Sequence, residues 1–210
     1  MKNGRRPLES DSRSKNRCCK QWVAEQIKGR YGHGENAWRI WNPVPNTSSD
    51  LLVTSADCRK AVLLHITYSK THPKDYPCTT SGWHDVERAD LEKTKADFWV
   101  FVTKPIQKGG KTTASDCDFI IIRPMDLLER LAKTCPDRQP FRLYLTHIGE
   151  TVIDTRNIDA LGDGQAKGDV PLGIQKAIQD TTSLRNYTQH LGNWALLEGA
   201  LGHQRAPRKG

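Results

Sequence analysis

Residues 48–70 read SSDLLVTSADCRKAVLLHITYSK. Two apolar runs, Leu51–Val53 and Ala61–Ile66, flank a polar connection, and this pattern predicts two strands joined as a hairpin. Asp50 opens the first run, while His65, Thr67 and Lys70 close the second. Side chains two apart on a strand share a face. His65 and Thr67 therefore point one way, and Leu64, Ile66 and Tyr68 the other. Two readings stand for Asp50: an acid that hydrogen-bonds its own turn, or one member of a site.

On the N-terminal side, residues 1–16 are polar and without period, which predicts a disordered basic arm. From Arg17 to Arg30 the spacing of Cys19, Trp22, Val23 and Ile27 predicts an amphipathic helix, stopped by the glycines of YGHGEN. AWRIWNPV (37–44) alternates and ends at prolines, as a short strand does. On the C-terminal side, residues 71–82 read as a loop, 84–96 as a charged helix and 97–105 as a strand. A Gly-Gly loop follows, and DFIIIRP (118–124) has the continuous apolar run of a strand buried on both faces.

MDLLERLAK (125–133) predicts a helix with Met125, Leu128 and Leu131–Ala132 on one side. FRLYLTHI (141–148) predicts a strand, residues 149–171 a loop, and GIQKAIQ, SLRNYTQHL and NWALLEGAL three helices. Trp38, Trp41, Trp99 and Trp194 read as core anchors, and Asp97 and Asp118 as strand-end residues. The order predicts one α/β domain over 17–202, a mixed central sheet flanked by helices, with a basic tail at 203–210.

The chain has 210 residues and a net charge of +8. Residues 1–17 carry +4 and residues 203–210 carry +3, so the basicity sits in the two ends. Such ends attract nucleic acid through counterion release, which makes Arg5, Arg6, Arg13, Lys15, Arg17 and, in the body, Lys60 candidate phosphate contacts. No apolar run approaches the ~20 residues that span a bilayer, and the N-terminal segment lacks an apolar core, so a cytoplasmic protein without membrane contact is expected. The six cysteines include no CxxC pair, which argues for reduced thiols over zinc ligands. No GxGxxG, Walker A loop, HExxH or GxSxG is present, which disfavours those enzyme classes.

The helix carrying Glu25, then SSDLLV (48–53) and VLLHITYS (62–69), then Trp83, ADFWVFV (96–102), DFIIIRPMDLLERL (118–131) and YTQHLGNWALL (187–197), occur in a telling order. In that order the chain resembles the restriction-endonuclease-like, or PD-(D/E)XK, nuclease superfamily. The resemblance implies that Asp50 is the metal-binding aspartate and that His65-Ile66-Thr67 stands where an acid–X–lysine triplet usually sits. In that chemistry Mg²⁺ (or Mn²⁺) on carboxylate oxygens activates water and stabilises charge on the phosphate. An acid and a lysine two apart on a strand converge on that metal.

The triplet here supplies neither a carboxylate nor an ammonium. His65 suits a softer ion than Mg²⁺, or is simply a hydrogen-bonded structural histidine. A surviving site draws on Asp50, His65 and Thr67, a second carboxylate from Glu25 or Glu35, and a migrated Lys70 or Lys60. The leading expectation is a protein with a degraded metal site that binds nucleic acid, DNA foremost, or a partner protein without efficient hydrolysis. The alternatives are an active divergent Mg²⁺-dependent endonuclease, homodimeric as such enzymes often are, and a structural subunit of a larger complex.

Overall fold

The computed structural model describes residues 9–42, 50–69, 76–106, 112–136, 140–156, 158 and 169–202, with side chains from Cys18 onward. Its first helix, α1 (Glu9–Tyr31), starts eight residues before the arm-to-helix boundary expected at Arg17. Of the expected stripe Cys19, Val23 and Ile27 are buried and Trp22 is only partly so, while Tyr31 extends the run at the same four-residue spacing. Gly32 closes the helix, its N–H bonding to the Lys28 carbonyl at 2.8 Å. Trp38 then stacks on Tyr31 at 3.8 Å between ring centroids.

Three antiparallel strands follow: β1 (Arg39–Trp41), β2 (Leu51–Thr54) and β3 (Ala61–Tyr68). The hairpin expected from residues 48–70 is thus formed, with Leu51 opposite Leu64 and Thr54 opposite Ala61. Its turn is closed by the Ser55 N–H on the Lys60 carbonyl at 2.9 Å and by the Ser55 hydroxyl on the Asp57 carboxylate at 2.6 Å.

The next segment departs from expectation. Residues 84–86 belong to a strand, β4 (Thr80–Val86), and only α2 (Arg88–Lys93) is helical. Seven consecutive residues of β4 pair with β7 (Phe141–Ile148), and that ladder outweighs the helical pattern of the charged segment that follows β4. β5 (Phe98–Pro105) is the centre of the sheet. It runs parallel to β3, with Leu64 beside Phe98 and Tyr68 beside Val102, and antiparallel to β6 (Asp118–Ile122). Its last two residues pair with β4. A further strand missed by sequence, β8 (Thr151–Asp154), turns back on β7 through Gly149-Glu150. Gly149 has φ +60°, as a two-residue hairpin turn with glycine first requires. The result is a mixed sheet of eight strands ordered β1-β2-β3-β5-β4-β7-β8, with β6 beside β5.

The sheet separates two cores. On one face Leu64, Ile66, Val100, Val102 and Ile121 cluster with Val23 and Ile27 of α1 and with Leu197 and Leu201 of α5 (Ala195–Leu201). On the other face Trp99, Phe101, Ile120 and Ile122 cluster with Leu127 and Leu131 of α3 (Pro124–Thr134) and with Phe141, Leu143 and Leu145 of β7. In α3 the buried stripe is Pro124, Leu127 and Leu131, and Met125, expected inside, is 66% exposed.

A third cluster joins Ile153 of β8 to Ile174 of α4 (Leu172–Gln179). SLRNYTQHL is not a helix beyond a single 3₁₀ turn at Thr188–His190. Its backbone instead bonds to the sheet, the Tyr187 N–H to the Val152 carbonyl at 2.7 Å, with the Tyr187 ring buried. Trp38, Trp99 and Trp194 are core anchors, whereas Trp41 on the edge strand is about half exposed. Among the described residues no helix is long and apolar enough to cross a membrane.

Candidate functional site

Asp50 immediately precedes β2, and its N–H bonds to the Leu64 carbonyl at 2.7 Å, which fixes it opposite His65. Its Oδ2 accepts the Ile66 N–H at 2.7 Å and lies 3.2 Å from His65 Nδ1. Its Oδ1 lies 2.6 Å from Lys20 Nζ. Lys20, which sequence reading did not single out, comes from α1. On a helix turning about 100° per residue, Lys20 sits about 60° round from Val23, at the edge of the buried stripe and within reach of the hairpin. Glu25 sits about 200° round, on the far side. There it is exposed and accepts a bond from Gln21 Nε2 at 2.9 Å. So the structure brings Asp50 and His65 together, adds Lys20 and leaves Glu25 out.

The other expected residues disperse. Thr67 points to the same face as His65, but its hydroxyl is 2.8 Å from His84 Nδ1 on β4. His84 is buried edge-on against Phe101 at 4.9 Å, and burial pushes its pKa down to about 3, so the ring is neutral. His65 itself packs on Trp99 at 4.3 Å. Trp99 and His84 therefore occupy the space over the β3 face beside His65 and Thr67. Glu35 and Lys60 line a separate cavity of about 720 Å³ at the turn end of the hairpin, with Asp57 and Arg59. Lys60 adjoins Ala61, which pairs with Thr54 at the end of the hairpin remote from Asp50, so it does not serve as the migrated lysine. Lys70, Arg5 and Arg6 lie outside the described residues, and Arg13, Lys15 and Arg17 lie on α1 with side chains outside them.

The resemblance implies a divalent ion at Asp50, and the donor set does not fit Mg²⁺. That ion takes six oxygens in near-octahedral geometry. Here one carboxylate faces an imidazole and an ammonium. Among the described residues no three His, Cys, Asp or Glu side chains are grouped to share a metal ion.

Two polar clusters escaped the sequence reading. Ser69 Oγ and His84 Nε2 are buried without hydrogen-bond partners among the described residues. Both converge over Gly82, where a Cβ would lie 2.5 Å from the hydroxyl and 2.9 Å from the ring nitrogen. The second cluster is Asp118, whose Oδ2 accepts the Thr80 hydroxyl and lies 2.8 Å from His147 Nδ1. It borders a cavity of about 630 Å³ with Cys78, Ser115 and Asp116. The hydrogen bond to Asp118 holds the His147 pKa above its usual value. These groups lie on separate strands, so only the register of β4, β6 and β7 brings them together.

Comparison of the chain with protein-family models, with curated proteins and with solved structures gives no match.

Proposed function

We propose that this protein uses a restriction-endonuclease-like layout as a scaffold for binding nucleic acid and does not hydrolyse phosphodiesters at Asp50. The observation that carries the reading is the state of the Asp50 carboxylate. One oxygen pairs with Lys20, and the other is shared by the Ile66 N–H and His65. A carboxylate so neutralised is a weak competitor for Mg²⁺, and no lysine of β3 completes a triplet. The layout supports the scaffold part of the reading: a helix, three antiparallel strands, then a crossover that includes α2 and returns a strand parallel to β3. The net charge of +8 supports a polyanionic partner.

The test is a pair of measurements on the full chain. Fluorescence anisotropy with labelled duplex DNA and RNA should give binding that weakens log-linearly with salt. Incubation with Mg²⁺ or Mn²⁺ should leave both substrates intact. Metal-dependent cleavage that Asp50→Ala abolishes overturns the proposal, as does the absence of binding at low salt.

A further inference from the structure

We propose that the outer face of strands β1, β2 and β3 binds a single strand of nucleic acid, with one base stacked on Trp41 and an adjacent phosphate on Arg39. The inference rests on the reading of the chain as a nucleic-acid binder, and it names the form of nucleic acid and the surface that takes it.

The three strands bury only one face. Ile40, Leu51, Val53, Val62 and Leu64 pack in the core under α1 and α5. Strand alternation turns Arg39, Trp41, Leu52 and Leu63 the other way, and none of these four belongs to a buried cluster. Trp41 stands beside Leu52, and Leu52 beside Leu63, so an apolar row crosses all three strands. Leu52 and Leu63 are partly exposed and Trp41 is 48% exposed. No other Trp, Tyr or Phe among the described residues is as exposed.

The indole is held in place. Its Nε1 donates to the Thr54 hydroxyl at 3.3 Å, and Thr54 is the register partner of Arg39, not of Trp41. The ring is thereby tied across β2, with one face down over the buried Thr54 and the other open to solvent. An aromatic face fixed in advance stacks on any unpaired base at little ordering cost. A base inside a duplex has both faces taken by its neighbours, so this platform selects an unstacked strand.

The charge on this face suits a polyanion. Arg39 lies two residues from Trp41 along the strand, about 6.6 Å away, a span of the order of that from a base to a neighbouring phosphate. No ion pair among the described residues uses its guanidinium. The nearby acids are engaged. Asp57 pairs with Arg59 at 3.7 Å, Asp50 with Lys20 at 2.6 Å, and the Asp97 carboxylate accepts the Leu63 N–H at 2.7 Å. Leu52 and Leu63 offer no hydrogen bond to a sugar hydroxyl or a base edge, so the surface reads neither sugar nor sequence.

The experiment is fluorescence anisotropy of the full chain with labelled oligothymidylate, oligouridylate and a DNA duplex, over a series of salt concentrations. Circular dichroism and a urea midpoint confirm that each variant is folded. Both single strands should bind more tightly than the duplex. Trp41→Ala should weaken them at least about fivefold, the loss of one base stack, and leave the salt slope and the duplex affinity unchanged. Trp41→Leu keeps an apolar cover over β2 without an aromatic face and should show the same loss. It decides the matter alone if Trp41→Ala does not fold. Arg39→Gln should lower the salt slope by about 0.7, one phosphate contact on a single strand. Met125→Ala, which removes an exposed apolar side chain from α3, should alter nothing.

A folded Trp41→Leu variant that binds oligothymidylate as the wild type does overturns the proposal. So does equal weakening of the duplex. Sedimentation in which the Trp41 variants lose self-association and keep single-strand affinity also overturns it, and gives the face to a second copy of the chain. Absence of binding to every nucleic acid sinks the proposed function, whereas binding that ignores Trp41 and Arg39 sinks only this inference.

Discussion

His147 Nδ1 lies 2.8 Å from the Asp118 carboxylate, and this hydrogen bond, with a smaller contribution from the backbone of Gly149, favours the protonated ring. Its folded pKa lies above the ordinary 6.5, so its stabilising contribution is complete below that value and fades as pH rises through the folded pKa. His84 behaves oppositely. Burial holds it neutral down to about 3, while the unfolded ring takes up a proton below 6.5, so falling pH favours unfolding. One such proton is worth about 1.4 kcal/mol per pH unit. Urea midpoints should therefore show His147→Gln most destabilised relative to wild type on the acid side of neutrality and least on the alkaline side. His84→Gln should flatten the loss of stability on acidification.

Asp50 stood out in the sequence because the resemblance sets a metal-binding aspartate at the start of that strand. Lys20 did not, because a lysine at the edge of a helical stripe looks like any solvated cation until the helix is docked. Asp118 was visible only as a strand end for the same reason, since its partners Thr80 and His147 lie on two other strands.

The elements with strong internal periodicity were legible. α1, β3, β5 and β6 bury the residues their patterns indicate. In α3 the helix was legible but its rotation was not. Pro124 at the first position starts the turn and joins the buried stripe, which rotates Met125 outward. Leu127→Ala, in a fully buried site, should cost about 2–5 kcal/mol. Met125→Ala should stay within about 0.5 kcal/mol. Thermal and urea unfolding of the two variants checks both, and equal effects would contradict the assigned rotation. β4 and β8 were not legible. TSGWHDV carries Ser81 and Gly82 and runs into the charged stretch from Glu87 that reads as helix, and four-residue TVID follows a glycine turn in a polar stretch. Each becomes a strand because β7 offers it a partner. SLRNYTQHL failed in the opposite direction: helical spacing was present, but Tyr187 and Asn186 bond to the sheet instead.

At the scale of the molecule, the mixed α/β class followed from alternating strand and helix patterns, whereas the strand order did not, because pairing between distant segments leaves no local signature. Four residues of β5, Trp99–Val102, are paired on both sides, by β3 and by β6. Backbone amides buried and bonded in this way exchange only when the whole sheet opens. Hydrogen exchange should thus be slowest at Val100, Phe101 and Val102 and fastest among the strands at β1, where Arg39 and Trp41 are exposed. Equal protection of β1 and β5 would count against β5 as the centre.

The β4–β7 ladder has a consequence for biosynthesis. Thr80 finds its partner His147 only after the whole of the intervening chain has been made, and until β7 is present β4 has just two residues paired with β5. A nascent or truncated chain that stops before Phe141 therefore carries β4, with Trp83, as an open strand edge, the kind of template that recruits other chains.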